Sequence, residues 1–203
     1  MLSDEIYEHL HYDGVKTSYI GVEVPEVRDQ LLVLNGVAKT YAMPGWRVGW
    51  MVAPLDVAKA AIKLQSHMTS NVSNISQRAA LAAVGGTLDE VAKMRDSFDA
   101  RRKAIVQALN DIDGVTCPLS HGAFYAFANV EALLECPMGK DSKIPGTSSV
   151  LAQMLLDEAH VAAVPGEAFG APGYLRFSCA LADSQLAEGM RRMKQWIESG
   201  SAF

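Results

Sequence analysis

The chain has 203 residues, 49% of them hydrophobic and 20% charged, enough for one large globular domain or two modest ones. Its 18 basic and 23 acidic residues give a net charge of −5 and are dispersed, which argues against a nucleic-acid-binding surface. No apolar run approaches the roughly 18 residues of a membrane span, and Met1 to Glu5 lack the basic and apolar regions of a secretory signal.

The first 55 residues alternate short apolar runs with polar turns. Leu31 to Leu34 reads as a strand buried on both faces, and Val48 to Ala53 as another, stopped by Pro54. Asn35 to Arg47 between them is rich in glycine and polar residues and reads as a loop. From Leu55 the period becomes helical, with Val57, Ala60, Ala61 and Leu64 on one face and Asp56 as the expected cap. Ser66 to Ser76 reads as a polar loop, followed by a short helix through Val84 that Gly85-Gly86 ends. Thr87 and Glu90 have capping-box spacing at the head of a helix whose stripe runs from Leu88 through Phe98 to Leu109. A helix of that length commonly bridges two domains, so the expected division is 1–97 and 98–203.

Beyond Gly114 the pattern is α+β. Strands are expected at Val115–Cys117, Ala123–Val130, Val161–Val164 and Tyr174–Cys179, and helices at Ser148–Ala159 and Asp183–Ile197. Glu135 to Gly146, polar and carrying two prolines, is the expected mobile loop. Cys117, Cys136 and Cys179 show no CxxC or metal-ligand spacing, which fits inert thiols in a reducing, cytoplasmic setting. The five histidines have no ligand spacing either, so no metal site is expected.

Three stretches carry chemistry. In Asn35-Gly36-Val37-Ala38-Lys39-Thr40-Tyr41-Ala42-Met43-Pro44-Gly45-Trp46-Arg47, a lysine follows a strand and an arginine follows eight residues later. A neutral, partly desolvated lysine forms Schiff bases with carbonyls, and an arginine fork suits a phosphate. The same pair taken alone also fits a glycine-containing surface loop. In Ser3-Asp4-Glu5-Ile6-Tyr7, Asp4 could hold a protonated ring nitrogen and Tyr7 a phenolate-like oxygen, or both could belong to a solvated turn. In the stretch from Val164 to Ser178, a turn-rich approach leads into an apolar strand bearing Arg176. Such an arginine needs an anionic partner, either a structural carboxylate or one brought by a substrate.

Together and in this order, with Gly122-Ala-Phe-Tyr125 between them, these stretches resemble the class I/II pyridoxal-phosphate-dependent aminotransferases of the aspartate aminotransferase fold. The likeness spans Leu2 to about Ile197 and is to the carboxy-terminal half of such enzymes. It implies an α/β fold: the end of a large cofactor-binding domain with a mostly parallel sheet, then a small α+β domain. It implies that Lys39 forms the Schiff base with pyridoxal 5'-phosphate and moves the substrate α-proton. Asp4 would face the pyridine nitrogen, Tyr7 the ring's 3′-oxygen, Arg47 the phosphate and Arg176 the substrate α-carboxylate. The implied reaction moves an amino group between an amino acid, aspartate-like by likeness, and a 2-oxo acid. The implied assembly is a homodimer, with Ser66–Ser76 reaching toward the neighbour's cofactor.

The sequence departs from the family at Ala38, where a serine is common, at Gly36, where a hydroxyl residue is common, and at Pro44, where threonine is common. The family's phosphate loop, its ring-stacking aromatic and the asparagine on the 3′-oxygen belong to a first half not found in these residues. A truncated, non-catalytic fragment and a carbon–sulfur lyase of the same fold are the alternative expectations.

Overall fold

The computed structural model describes residues 1–139 and 141–200, and the chain divides into two compact units, Met1–Arg95 and Asp96–Phe203. Lys140, within the loop expected to be mobile, lies outside the described residues.

The first unit is built on a three-stranded sheet in the order β1 (Leu2–Asp4), β2 (Leu32–Gly36), β3 (Gly49–Val52). β1 and β2 are parallel, with Asp4 opposite Leu34, and β3 runs antiparallel, with Gly49 opposite Gly36. The apolar run expected to be buried on both faces is only partly covered: Leu31 and Gly36 are buried, while Leu32 to Asn35 are half-buried. Between β1 and β2 the chain makes a four-residue helix, α1 (Ile20–Glu23), and a tight turn, Pro25–Gln30.

Helix α2 spans Leu55–Met68 and α3 spans Asn74–Val84. Pro54, not Asp56, occupies the cap of α2, because its ring presets the backbone angle for helix entry and its missing N–H costs nothing there. Asp56 instead lies in the first turn, where its charge favours the positive helix end. The loop expected from Ser66 shrinks to Thr69–Ser73, since α2 continues two residues past Ser66.

Helix α4 covers Asp89–Asn110. The expected capping box gives way to a side-chain pairing: Thr87 Oγ1 donates to the Asp89 carboxylate at 2.9 Å, and Glu90 pairs with Lys93 at 2.6 Å. The division between the units falls inside α4.

The second unit holds an antiparallel sheet in the order β4 (Tyr125–Asn129), β6 (Tyr174–Ser178), β5 (Val164–Pro165). Val115–Cys117, expected as a strand, contributes only a single bridge from Thr116 to Asn129. Its backbone is satisfied instead by Asn110, whose side-chain amide donates to the Cys117 carbonyl at 3.0 Å and accepts from its N–H at 2.8 Å. Helix α5 (Ser148–Met154) is capped by Thr147 and widens into a π turn over Leu155–Ala159, ended by His160 in the left-handed region. Helix α6 covers Asp183–Gly200.

Period-two alternation sets the two faces of this sheet. Ala126, Ala128, Leu175 and Phe177 point inward and are at most 3% exposed. They pack in one core with Ile105 and Leu109 of α4, Leu151 and Leu155, and Met193 and Ile197 of α6. Tyr125, Phe127, Tyr174 and Arg176 lie on the other face.

Among the described residues, no helix is long and apolar enough to cross a membrane. Nor do any three His, Cys, Asp or Glu among them gather to hold a metal ion.

Candidate functional site

The strand directions decide where the chemistry in the first unit sits. β1 and β2 end at the same edge of the sheet, and antiparallel β3 begins there. Asp4 closes β1, Tyr7 follows in the next turn, Lys39 sits in the turn after β2, and Arg47 directly precedes β3. Three segments distant in sequence therefore deliver their side chains to one end of one sheet, where open α/β sheets place their ligands.

The turn carrying Lys39 is held from both sides. The Val37 N–H donates to the Val48 carbonyl at 3.2 Å, Met43 N–H to Val37 O at 3.3 Å, and Ala42 N–H to Lys39 O at 3.1 Å. Val37 is fully buried and Thr40 is 1% exposed, so the turn is pinned from beneath while Lys39 stays half-buried. Ala42 and Arg47 both adopt left-handed backbone angles, φ 51° and 56°. Two non-glycine residues in that region around one lysine are a local strain of the kind that functional turns carry. Gly36 is required by close approach: a Cβ there would meet the Val48 carbonyl oxygen at 2.9 Å and the Gly49 Cα at 3.1 Å.

Lys39 Nζ lies 5.8 Å from the centroid of the half-buried Tyr7 ring, so the structure brings these two together. Asp4 is exposed, with Oδ1 accepting the Ile6 N–H at 3.1 Å. Arg47 is exposed too, its Nη1 donating to the Pro44 carbonyl at 2.8 Å. Both share the sheet end with Lys39.

Further residues at this end form a network that sequence reasoning did not assign. Glu8 accepts from Asn35 Nδ2 at 2.8 Å and from the Tyr19 hydroxyl at 3.4 Å. Asn35 Oδ1 in turn accepts the Gly36 N–H at 2.7 Å, tying the turn after β1 to the turn after β2. Burial first and the Glu8 carboxylate second hold the phenols of Tyr19 and Tyr41 above the usual tyrosine range, so both stay neutral. Thr40 Oγ1 is buried without a hydrogen-bond partner among the described residues. The only hint of this network was Asn35 itself, a turn-forming residue directly before a glycine.

Arg176 belongs to the second unit, on the outer face of β6. Its guanidinium carbon lies 4.4 Å from the ring centroids of both Tyr125 and Phe169. The structural carboxylate left open as its partner is not found among the described residues; aromatic rings surround it instead.

Nearly the whole chain is similar to known proteins. The family model described as aminotransferase class I and II matches residues 1–193. An aspartate aminotransferase of Streptomyces avermitilis is 57% identical over 199 residues, covering 97% of this chain and 48% of that protein. The crystal structure of an aspartate aminotransferase from Rhizobium meliloti superposes with a TM-score of 0.92 at 37% identity, covering 97% of this chain and 49% of the other. An aromatic aminotransferase from Pyrococcus horikoshii gives a TM-score of 0.84 at 33% identity, covering 98% and 51%. The chain thus spans about half the length of the curated relatives it matches. On the match over residues 1–193, the chain belongs to the class I and II aminotransferases.

Proposed function

We propose that this chain carries the lysine half of a pyridoxal-phosphate-dependent aminotransferase site, corresponding to the carboxy-terminal half of such an enzyme. The reading rests on one observation: Asp4, Tyr7, Lys39 and Arg47 converge on a single sheet end, with Lys39 Nζ 5.8 Å from the Tyr7 ring. The donor set fits the cofactor group by group. An amine suits its aldehyde, a phenol its 3′-oxygen, a carboxylate its pyridine nitrogen and a guanidinium fork its phosphate. When bound, the ring supplies an electron sink for the pair left at the substrate α-carbon.

The chain's own residues would then divide the work. Lys39 would hold the cofactor through Nζ, and the same amine would move the substrate α-proton. The pinned turn keeps that amine within a small arc, which is where proximity contributes to rate. Asp4 would keep the pyridine nitrogen protonated, Tyr7 would orient the ring oxygen, and Arg47 would neutralise phosphate charge. Arg176 receives the α-carboxylate. An amino acid, aspartate-like by analogy with the aspartate aminotransferases above, and a 2-oxo acid would be the substrates of a cytoplasmic homodimer.

The half-length coverage favours a second reading, in which the 203-residue chain alone is a non-catalytic part of such an enzyme. Incubation with pyridoxal phosphate and borohydride separates the two. The first reading expects a visible absorbance band that borohydride removes, with a mass gain confined to the peptide bearing Lys39 and absent from Lys39→Ala. An unmodified Lys39 peptide in the wild-type chain overturns it in favour of the second.

A further inference from the structure

The outer face of the second unit's sheet is aromatic with one cation in it. Phe127 and Arg176 are direct cross-strand partners, and Tyr125 and Tyr174 lie on the same face. Phe169 joins them from the tight turn Gly166–Phe169. The Arg176 guanidinium is over the faces of both Tyr125 and Phe169 at 4.4 Å, well inside the range of cation–π attraction. Both rings are themselves braced: Phe127 meets Phe169 edge-on at 5.9 Å and 90° and stacks on Tyr174 at 5.0 Å and 18°, while Phe124 lies against Tyr125 at 4.8 Å.

The consequence lies in what the guanidinium does not do. Among the described residues it makes no hydrogen bond or ion pair, although an arginine in a strand normally finds a carboxylate or carbonyl. Aromatic faces attract the cation without consuming its N–H donors, because the attraction is to the ring quadrupole. The rings also strip water from it, which strengthens any later pairing with an anion. A bracket of this kind fixes a guanidinium and leaves its five donors for a ligand.

We propose that Phe169 and Tyr125 are positioning residues for Arg176, holding its fork open toward the carboxylate of an amino or 2-oxo acid. The proposal rests on the reading of Arg176 as the carboxylate anchor and goes beyond it by assigning the two rings. Phe127, stacked on Tyr174, supports the Phe169 side of the bracket.

The test follows the Arg176 side-chain N–H resonance of the whole 203-residue chain while 2-oxoglutarate is added. In the wild type the resonance carries a ring-current shift and moves saturably with the ligand. Phe169→Leu and Tyr125→Leu each lose part of that shift and weaken binding about tenfold, the size of a lost cation–π contact. Phe169→Tyr and Tyr125→Phe keep affinity near wild type, which shows that a ring is required and guards against a variant that merely misfolds. Leucine variants that bind 2-oxoglutarate like wild type, while Arg176→Lys does not, overturn the positioning role and leave the anchor reading standing. Arg176→Lys binding like wild type, or a wild-type chain that binds none, overturns the anchor reading and the bracket with it.

Discussion

A side chain's reactivity is set by its surroundings, and the three cysteines illustrate it. Cys179 is fully buried and its thiol is pushed up to about 11, chiefly by burial; burial raises Cys117 as well. Cys136 is only half-buried and donates to the Ala132 carbonyl at 3.3 Å. Iodoacetamide labelling read by mass spectrometry at neutral pH should therefore modify Cys136 first, with Cys117 and Cys179 reacting only on unfolding. Prior labelling of Cys179 in the native chain would contradict the burial described. Lys39 stood out in the sequence only through the family resemblance, because the same glycine-bearing turn taken alone also fits a surface loop. Glu8 gave no local signal, because its role comes from a side-chain bond between the turn after β1 and Asn35 of β2, 27 residues apart, which no local pattern encodes. The same holds for Phe169 and Tyr125, which reach Arg176 through strand pairing and a turn.

Elements were readable from periodicity, and their ends were not. Apolar runs located β2, β3, β4 and β6, and the 3.6-residue stripe located α2, α4 and α6. Starts failed where two residue types compete for one role: Pro54 displaced Asp56 as the cap of α2, and Thr87 paired with Asp89 in place of a box with Glu90. Where a cap did form, it is testable. Thr147 Oγ1 accepts the Val150 N–H at 3.2 Å at the head of α5, whose residues Leu151, Ala152 and Met154 are buried. Thr147→Ala should cost about 1 kcal/mol in urea unfolding, and Thr147→Ser should recover most of it. Equal stability of all three chains would remove the cap from the account of this helix.

At the scale of the whole chain, the two units differ in how much they bury. The continuous core, from Ile105 to Ile197, lies in the second unit. In the first, α2 buries no residue and α3 only Ala80, while Leu55, Ile62, Leu64, Met68, Ile75 and Leu81 are all exposed. Buried apolar area is the main source of local stability, so hydrogen exchange should be faster in α2 and α3 than in β4, β6 and α6. Exchange-mass spectrometry reporting equal protection in the two sets would refute this. The uneven burial also explains what the sequence concealed: the apolar stripe of α2 looks the same on paper whether or not anything covers it.

The tight turn that presents Phe169 begins at Gly166, where an added Cβ would collide with the Ala171 carbonyl oxygen and stand 2.8 Å from that of Tyr174. Evolutionary drift is therefore barred at this codon unless the whole bend is rebuilt. An aromatic ring three residues downstream inherits its place from an atom that is missing, and a lineage that loses this glycine must find another way to steer its arginine.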